Sequence, residues 1–126
     1  MLGSILIVDG NAYNGFGLSL AIEENDGCVA GPVATAADAR IILDSRPIAG
    51  AIVDCDDDGS EAADVVMLLA GKGIPTVVQT VWPTPSALQA LNGRATVLVK
   101  PVDARLVLDA LLAEIRRTDQ ASEPPC

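Results

Sequence analysis

The segment Ala51-Ile52-Val53-Asp54 constrains the fold more than any other, because it is an apolar run that ends in a carboxylate. A continuous apolar run with β-branched residues is typical of a strand covered on both faces of its sheet. Burying a carboxylate at the end of such a strand costs stability unless a cation or a reaction requires it, and Asp56-Asp57-Asp58 follow closely. The end of this strand is therefore the candidate site.

Strand-like and helix-like segments alternate along the chain. The predicted strands cover residues 4–9, 28–33, 48–54, 74–80 and 95–100, and the predicted helices cover 16–25, 36–46, 60–70, 86–91 and 104–117. We expect Thr35 and Asp103 to cap the second and fifth helices. Right-handed crossovers between such strands predict an open parallel sheet with helices on both faces.

The length and composition predict one domain. With 126 residues, half of them apolar, the chain suffices for a single core, and we expect the domain to span residues 1–117. Residues 118–126, which include Pro124-Pro125, are predicted to form a disordered tail. Three widely spaced cysteines and the absence of histidine leave no usual ligand set for zinc.

Charge and hydropathy argue against two classes of partner. A formal net charge of −9 argues against nucleic acid, whose binding needs clustered Lys and Arg. No apolar run approaches the ~18 residues that cross a bilayer, and Met1 to Ser4 lack the pattern of a secretory signal. We therefore expect a cytoplasmic protein with no membrane partner.

Polar residues end four of the predicted strands. Asp9 ends the first strand, Asp54 the third, Thr80 the fourth and Lys100 the fifth. The carboxyl ends of parallel strands meet at one edge of the sheet, which is where ligands bind in this architecture. We therefore expect these residues to converge on one site.

This order of residues resembles the receiver domain of two-component response regulators. The shared features are an acid after strand one, Asp after strand three, Thr after strand four and Lys-Pro after strand five, and the likeness covers residues 4–117. The resemblance implies a flavodoxin-like sheet in the order 2-1-3-4-5 with five helices. It also implies a signalling protein rather than an enzyme.

The resemblance assigns roles to the residues of the site. Asp54 would accept a phosphoryl group from a histidine kinase or a phosphotransfer protein, and Thr80 and Lys100 would bind the phosphoryl oxygens. A cis peptide is implied at Lys100-Pro101. Two carboxylates ~4 Å apart repel by roughly 4 kcal/mol at an effective dielectric constant of 20, so Asp9 and Asp54 favour a bound cation. Mg²⁺ suits these oxygen ligands best, with Asp56 as the third metal residue.

Several positions depart from the receiver pattern. Receivers usually carry two adjacent acids after strand one, but this chain has Asp9-Gly10, so Asn11 or the Asp56 side chain is the candidate replacement. Val97 stands where the family has an aromatic switch residue, and Asp57-Asp58 stand where it has a hydrophobic residue and Pro. These departures predict weakened Mg²⁺ binding and an altered signal output.

Other motifs in the chain are weaker. Gly10 to Gly15 has the glycine spacing of a P-loop, but Phe16-Gly17 stands where Lys and Ser or Thr are required. The acids from Asp54 to Asp58 imitate the start of a calcium loop, but Val65 replaces its bidentate Glu. Phosphatases of the haloacid dehalogenase type also use Asp-x-Asp, but after their first strand and in longer chains.

Three functions remain open at this stage. The first is a stand-alone receiver that is phosphorylated on Asp54 and acts on a downstream protein target. The second is a degenerate receiver that binds proteins without phosphorylation, which Gly10 and Val97 would favour. The third is a small hydrolase or cofactor-binding flavodoxin-like protein, for which no nucleophile–base pair is evident. We also expect an exposed Trp82, where a partner or a second copy of the chain could dock to form a homodimer.

Overall fold

The computed structural model describes residues 3–10, 15–91 and 93–122, in which strands and helices alternate. The strands are β1 (Gly3–Val8), β2 (Gly27–Val33), β3 (Gly50–Cys55), β4 (Thr76–Thr80) and β5 (Thr96–Val99). The helices are α1 (Gly15–Glu24), α2 (Ala36–Ser45), α3 (Ser60–Gly71), α4 (Ser86–Gln89) and α5 (Ala104–Ser122). All strand pairs are parallel, in the order β2-β1-β3-β4-β5, which confirms the predicted flavodoxin-like sheet.

Strand β3 lies at the centre of the sheet, between β1 and β4. Ala51, Ile52 and Val53 are completely buried, because neighbouring strands flank them and helices cover both faces. A strand in this position needs an apolar residue wherever its side chain meets a helix layer. The continuous apolar run at 51–53 follows from that requirement.

Successive side chains of each strand enter two different cores. Ile52 and Val77 pack in the core beneath α1 and α5, whereas Val53 and Val78 pack in the core beneath α2, α3 and α4. Because side chains alternate along a strand, Asp54 and Gln79 lie on the α1/α5 side of the sheet, and Thr80 lies on the other side. This alternation decides which strand-end residues can share a cavity.

Side-chain hydrogen bonds cap the starts of α2 and α5, and another joins the starts of α2 and α3. The Thr35 hydroxyl accepts from the Asp38 N–H at 3.1 Å, and Asp103 Oδ1 accepts from the Leu106 N–H at 2.9 Å, which confirms both predicted caps. Glu61 at the start of α3 accepts from the Ala36 N–H at 2.5 Å. The amino ends of α2 and α3 are therefore joined beside the candidate site.

Two helices differ in length from the prediction. Helix α5 continues to Ser122, five residues beyond the predicted boundary at 117, because residues 118–122 contain no Gly or Pro that would end it. The rest of the predicted tail, residues 123–126, lies outside the described residues. Helix α4 is a single turn that ends at Gln89 rather than at Leu91.

Within residues 3–10, 15–91 and 93–122, no helix combines the length and the apolar content that crossing a membrane requires.

Candidate functional site

Two carboxylates are buried at the carboxyl edge of the sheet. The Asp54 side chain is only 4% exposed, because β3 is flanked by β1 and β4. Asp9 directly follows β1 and is 5% exposed, and its N–H donates to the Val33 carbonyl at 2.8 Å. Both acids therefore lie where the sequence predicts them, in surroundings that penalise a negative charge.

Lys100 brings a positive charge to these acids. Its Nζ lies 2.7 Å from Asp54 Oδ1 and also forms a short ion pair with Asp56 Oδ1. The Lys100 N–H donates to the Thr80 carbonyl at 2.8 Å, which anchors this residue at the end of β4. The Lys100–Pro101 peptide is cis, as the resemblance implies. The structure thus joins Asp54, Asp56 and Lys100 by direct contact.

The pKa values of Asp54 and Asp56 are shifted in opposite directions. Burial raises the pKa of Asp54 to about 6, against the opposing effect of Lys100 and with further raising by Asp9. The hydrogen bond from Lys100 lowers the pKa of the more exposed Asp56. Burial lowers the pKa of Lys100, but its bonds to Asp54 and Asp56 outweigh this effect, so that its pKa is raised. Lys100 therefore remains charged at neutral pH.

The backbone of Thr80 lies at the same edge of the sheet, where its carbonyl accepts the hydrogen bond from Lys100, but its side chain is buried elsewhere. Its side chain is completely buried, and its hydroxyl donates to the Val81 carbonyl at 3.4 Å, which is long for such a bond. In the parallel register Thr80 is paired with Cys55, not with Asp54. The Thr80 side chain does not line either of the two cavities that contain Asp54.

The first of these cavities lies on the acidic side of Asp54. It has a volume of about 270 Å³, and its polar lining includes Asp9, Asp54, Asp56, Asp57 and Glu61. Gly10 also lines it, and a Cβ added there would meet no atom within 4 Å among the described residues. The missing second acid of the receiver pattern therefore leaves open space in this cavity.

The second cavity lies on the lysine side of Asp54. It has a volume of about 460 Å³ and is lined by Asp54, Gln79, Lys100, Pro101 and Val102. Gln79 is not among the predicted site residues, and the register of β3 and β4 pairs it with Asp54. The available signal was a polar residue directly after the apolar pair Val77-Val78.

The carboxylates around Asp54 are potential oxygen ligands for a metal ion. In the part of the chain that the structure describes, no group of three or more His, Cys, Asp or Glu side chains is arranged to hold a metal. Asp9 and Asp54 are hard oxygen donors, and Lys100 pairs with the carboxylates of both Asp54 and Asp56. Mg²⁺ often uses one or two carboxylates and keeps several waters, so this donor set suits it. Asn11, the other candidate, lies outside the described residues.

Trp82 lies beside a separate groove on the other side of the sheet edge. Its side chain is exposed, as the sequence predicts, and it lines a cavity of about 460 Å³ together with Leu88, Val97 and Val99. Val97, which the resemblance places at the aromatic switch position of receivers, is partly buried.

Comparison with known proteins identifies the fold. No family model and no curated protein matches this sequence. A response regulator receiver domain protein from Clostridium thermocellum is 19% identical and matches 95% of this chain and 99% of its own, with a TM-score of 0.78. A sensor protein from Polaromonas sp. JS666 is 21% identical over 92% and 98%, with a TM-score of 0.76.

A third similar structure is the signal receiver domain of a modulated diguanylate cyclase from Desulfovibrio desulfuricans G20. It is 22% identical and matches 94% of this chain and 98% of its own, with a TM-score of 0.76. At this low identity the likeness is one of fold. The resemblance to receiver domains that the strand-end residues indicate is therefore confirmed at the level of the fold.

Proposed function

We propose that this chain is a receiver domain that accepts a phosphoryl group on Asp54. The observation that supports it most is the 2.7 Å contact between Lys100 Nζ and the buried Asp54 carboxylate, at the sheet edge that also holds Asp9. The shared fold with solved receiver domains adds to this support. In this role the chain is a signalling protein rather than an enzyme that turns over a substrate.

Asp54 is a better acceptor than the other acids at the site. It lines both cavities, so that a donor has access from either side, and it is in direct contact with Lys100. Asp9 lines only the acidic one of these two cavities, and the Asp56 side chain is half exposed, where a phosphoryl group would remain in water. The protection of a labile acyl phosphate from water favours the buried position.

The chemistry requires little beyond positioning and charge. A carboxylate oxygen attacks phosphorus, and a fixed ammonium group compensates the charge on the phosphoryl oxygens. In this proposal Lys100 provides the ammonium group, while Asp9, Asp54 and Asp56 would hold Mg²⁺, with Asp56 contributing its backbone carbonyl or its side chain. Bound Mg²⁺ supplies neutralisation of the phosphoryl charge. Gly10 is expected to weaken the affinity for the metal.

Thr80 is the proposed sensor of the modification. Among the described residues its hydroxyl makes one bond, the long 3.4 Å bond to the Val81 carbonyl, which costs little to break. Because the Thr80 side chain lines neither cavity that contains Asp54, Thr80 would have to move to bind a phosphoryl oxygen. Movement of Thr80 would displace the end of β4 and the residues after it, which include the exposed Trp82. A histidine kinase or phosphotransfer protein would supply the phosphoryl group, and a downstream protein would bind the altered surface.

Intact mass spectrometry tests this function. The chain is incubated with acetyl phosphate and Mg²⁺, and we expect a single phosphoryl adduct that Asp54→Asn abolishes. Asp58→Asn is the matched control, because this nearby carboxylate is exposed and accepts hydrogen bonds from Ser60. The proposal is wrong if the wild-type chain gains no adduct, or if Asp54→Asn gains as much as the wild type.

A degenerate receiver is the second candidate function. The observation that favours it is the pairing of Lys100 with both Asp54 and Asp56, which neutralises part of the site without a metal, together with the vacant side-chain position at Gly10. Such a chain would act by binding proteins, with the groove beside Trp82 as its contact surface. Failure of the wild type to form an adduct at any Mg²⁺ concentration would favour this alternative.

A further inference from the structure

Gln79 is a buried polar residue that the roles of Asp54, Thr80 and Lys100 leave unexplained. It is only 7% exposed, and it lines the cavity that also contains Asp54 and Lys100. Buried amides are normally hydrogen-bonded, because an unpaired polar group in the interior costs stability. An amide that lines a cavity beside a carboxylate and an ammonium group is therefore in a position to bind a polar ligand in that cavity.

The position of Gln79 relative to Asp54 narrows the identity of that ligand. The two residues are paired in the parallel register of β3 and β4, whose backbones lie about 4.8 Å apart in such sheets. Both side chains are on the α1/α5 side and line the same cavity, together with Lys100. Gln79 thus flanks the Asp54 carboxylate from the side of β4, opposite the side of β1 and Asp9.

We propose that Gln79 is a further phosphoryl-binding residue, whose carboxamide N–H donates to an oxygen of the phosphoryl group on Asp54. This inference rests on the proposed function, since it needs a phosphoryl group at that carboxylate. Lys100 already contacts Asp54 Oδ1 and Asp56, so its charge is shared between two acids. A neutral donor on the β4 side adds a contact to the phosphoryl oxygens without adding charge to a buried site.

The reaction that Gln79 would assist is a direct transfer. An Asp54 carboxylate oxygen attacks the phosphorus of acetyl phosphate, and the new O–P bond forms as the bond from phosphorus to the acetyl oxygen breaks. Acetate leaves with the electron pair, so no proton is taken up or released. Negative charge develops on the oxygens around phosphorus, where a preorganised donor stabilises the transition state. The loss of one hydrogen bond to a charged group corresponds to a rate decrease of roughly tenfold or more.

The test compares rate constants for adduct formation in three variants of the full chain. Gln79→Leu keeps the approximate volume but removes the amide, and Gln79→Glu keeps the shape but replaces the donor with a negative charge. We expect Gln79→Leu to lower the rate constant with acetyl phosphate and Mg²⁺ about tenfold, and Gln79→Glu to lower it further. The control is Thr76→Val, which removes a buried hydroxyl bonded to the Ile74 carbonyl at the other end of β4.

The control separates a phosphoryl contact from a structural role. Urea unfolding is measured for every variant, and Thr76→Val is expected to keep the wild-type rate constant even if it loses stability. Gln79→Leu with the wild-type rate constant would overturn the role of Gln79 and leave the proposed function intact. Equal slowing by Gln79→Leu and Thr76→Val would also overturn the role of Gln79, because the slower rate would then reflect a general disturbance of β4. A wild-type chain that forms no adduct would overturn both proposals.

Discussion

At the scale of single residues, burial makes the ionised form of Asp54 less stable than it would be in water. Burial raises its pKa to about 6, and this effect exceeds the stabilisation of the carboxylate by Lys100. The ionised form therefore carries unfavourable free energy near neutral pH when neither a cation nor a phosphoryl group is bound. Binding of a cation or a phosphoryl group would therefore reduce this unfavourable free energy.

The raised pKa of Asp54 predicts how the stability of the folded chain depends on pH. The pKa of Asp54 in the folded state, about 6, lies above its ordinary value of 3.8, so the folded chain binds this proton more tightly. The Asp54 contribution to the free energy of unfolding therefore falls as the pH rises from about 4 to about 6. Asp54→Asn removes the charge, and we expect it to increase the free energy of unfolding by about 1–3 kcal/mol near pH 8 in EDTA.

Urea denaturation at two pH values measures this effect. The gain from Asp54→Asn should largely vanish near pH 4.5, where the wild-type carboxyl is already protonated. Asp58→Asn is the control, because hydrogen bonds from Ser60 lower the pKa of that exposed carboxyl, so no gain near pH 8 is expected. Equal stability of Asp54→Asn and the wild type at both pH values would contradict the proposed electrostatics.

At the scale of secondary-structure elements, Gly59 connects the acidic loop to helix α3. Its φ of +83° lies in the left-handed region, which favours glycine. A Cβ at this position would lie 3.1 Å from Pro85 Cβ and 3.3 Å from Leu88 Cγ, so the segment containing α4 also packs against it. The turn that places Asp56 and Asp57 beside the site thus requires this residue.

Replacement of Gly59 should therefore destabilise the fold. We expect Gly59→Ala to lower the free energy of unfolding by about 1–2 kcal/mol, from backbone strain and the close contacts at Pro85 and Leu88. Gly71→Ala at the end of α3 is the control, because a Cβ there meets nothing within 4 Å among the described residues. Alanine also favours helix more than glycine, by about 1 kcal/mol, so a small gain is expected at Gly71. Urea denaturation that found Gly59→Ala as stable as the wild type would disprove this account of the turn.

At the scale of the whole molecule, the alternation of apolar runs and amphipathic segments was enough to predict the sheet and its layers. The placement of Asp9, Asp54 and Lys100 at one edge of the sheet was predictable, because Asp9 and Lys100 directly follow strands and Asp54 is the second-last residue of β3. Gln79 was not predictable, because a polar residue near the end of a strand has no characteristic spacing, and its position beside Asp54 depends on the register of β3 and β4. The end of α5 was missed because a polar helix without Gly or Pro resembles a tail in sequence.

The central claim, acceptance of a phosphoryl group by Asp54, is tested most directly by locating the modification. After reaction with acetyl phosphate and Mg²⁺, borohydride reduces an acyl phosphate to an alcohol, which converts a phosphorylated aspartate to homoserine. Peptide sequencing by tandem mass spectrometry should then find homoserine at position 54 and aspartate at positions 9, 56, 57 and 58. Homoserine at any of those four positions with aspartate retained at 54, or aspartate at all five, would contradict the account.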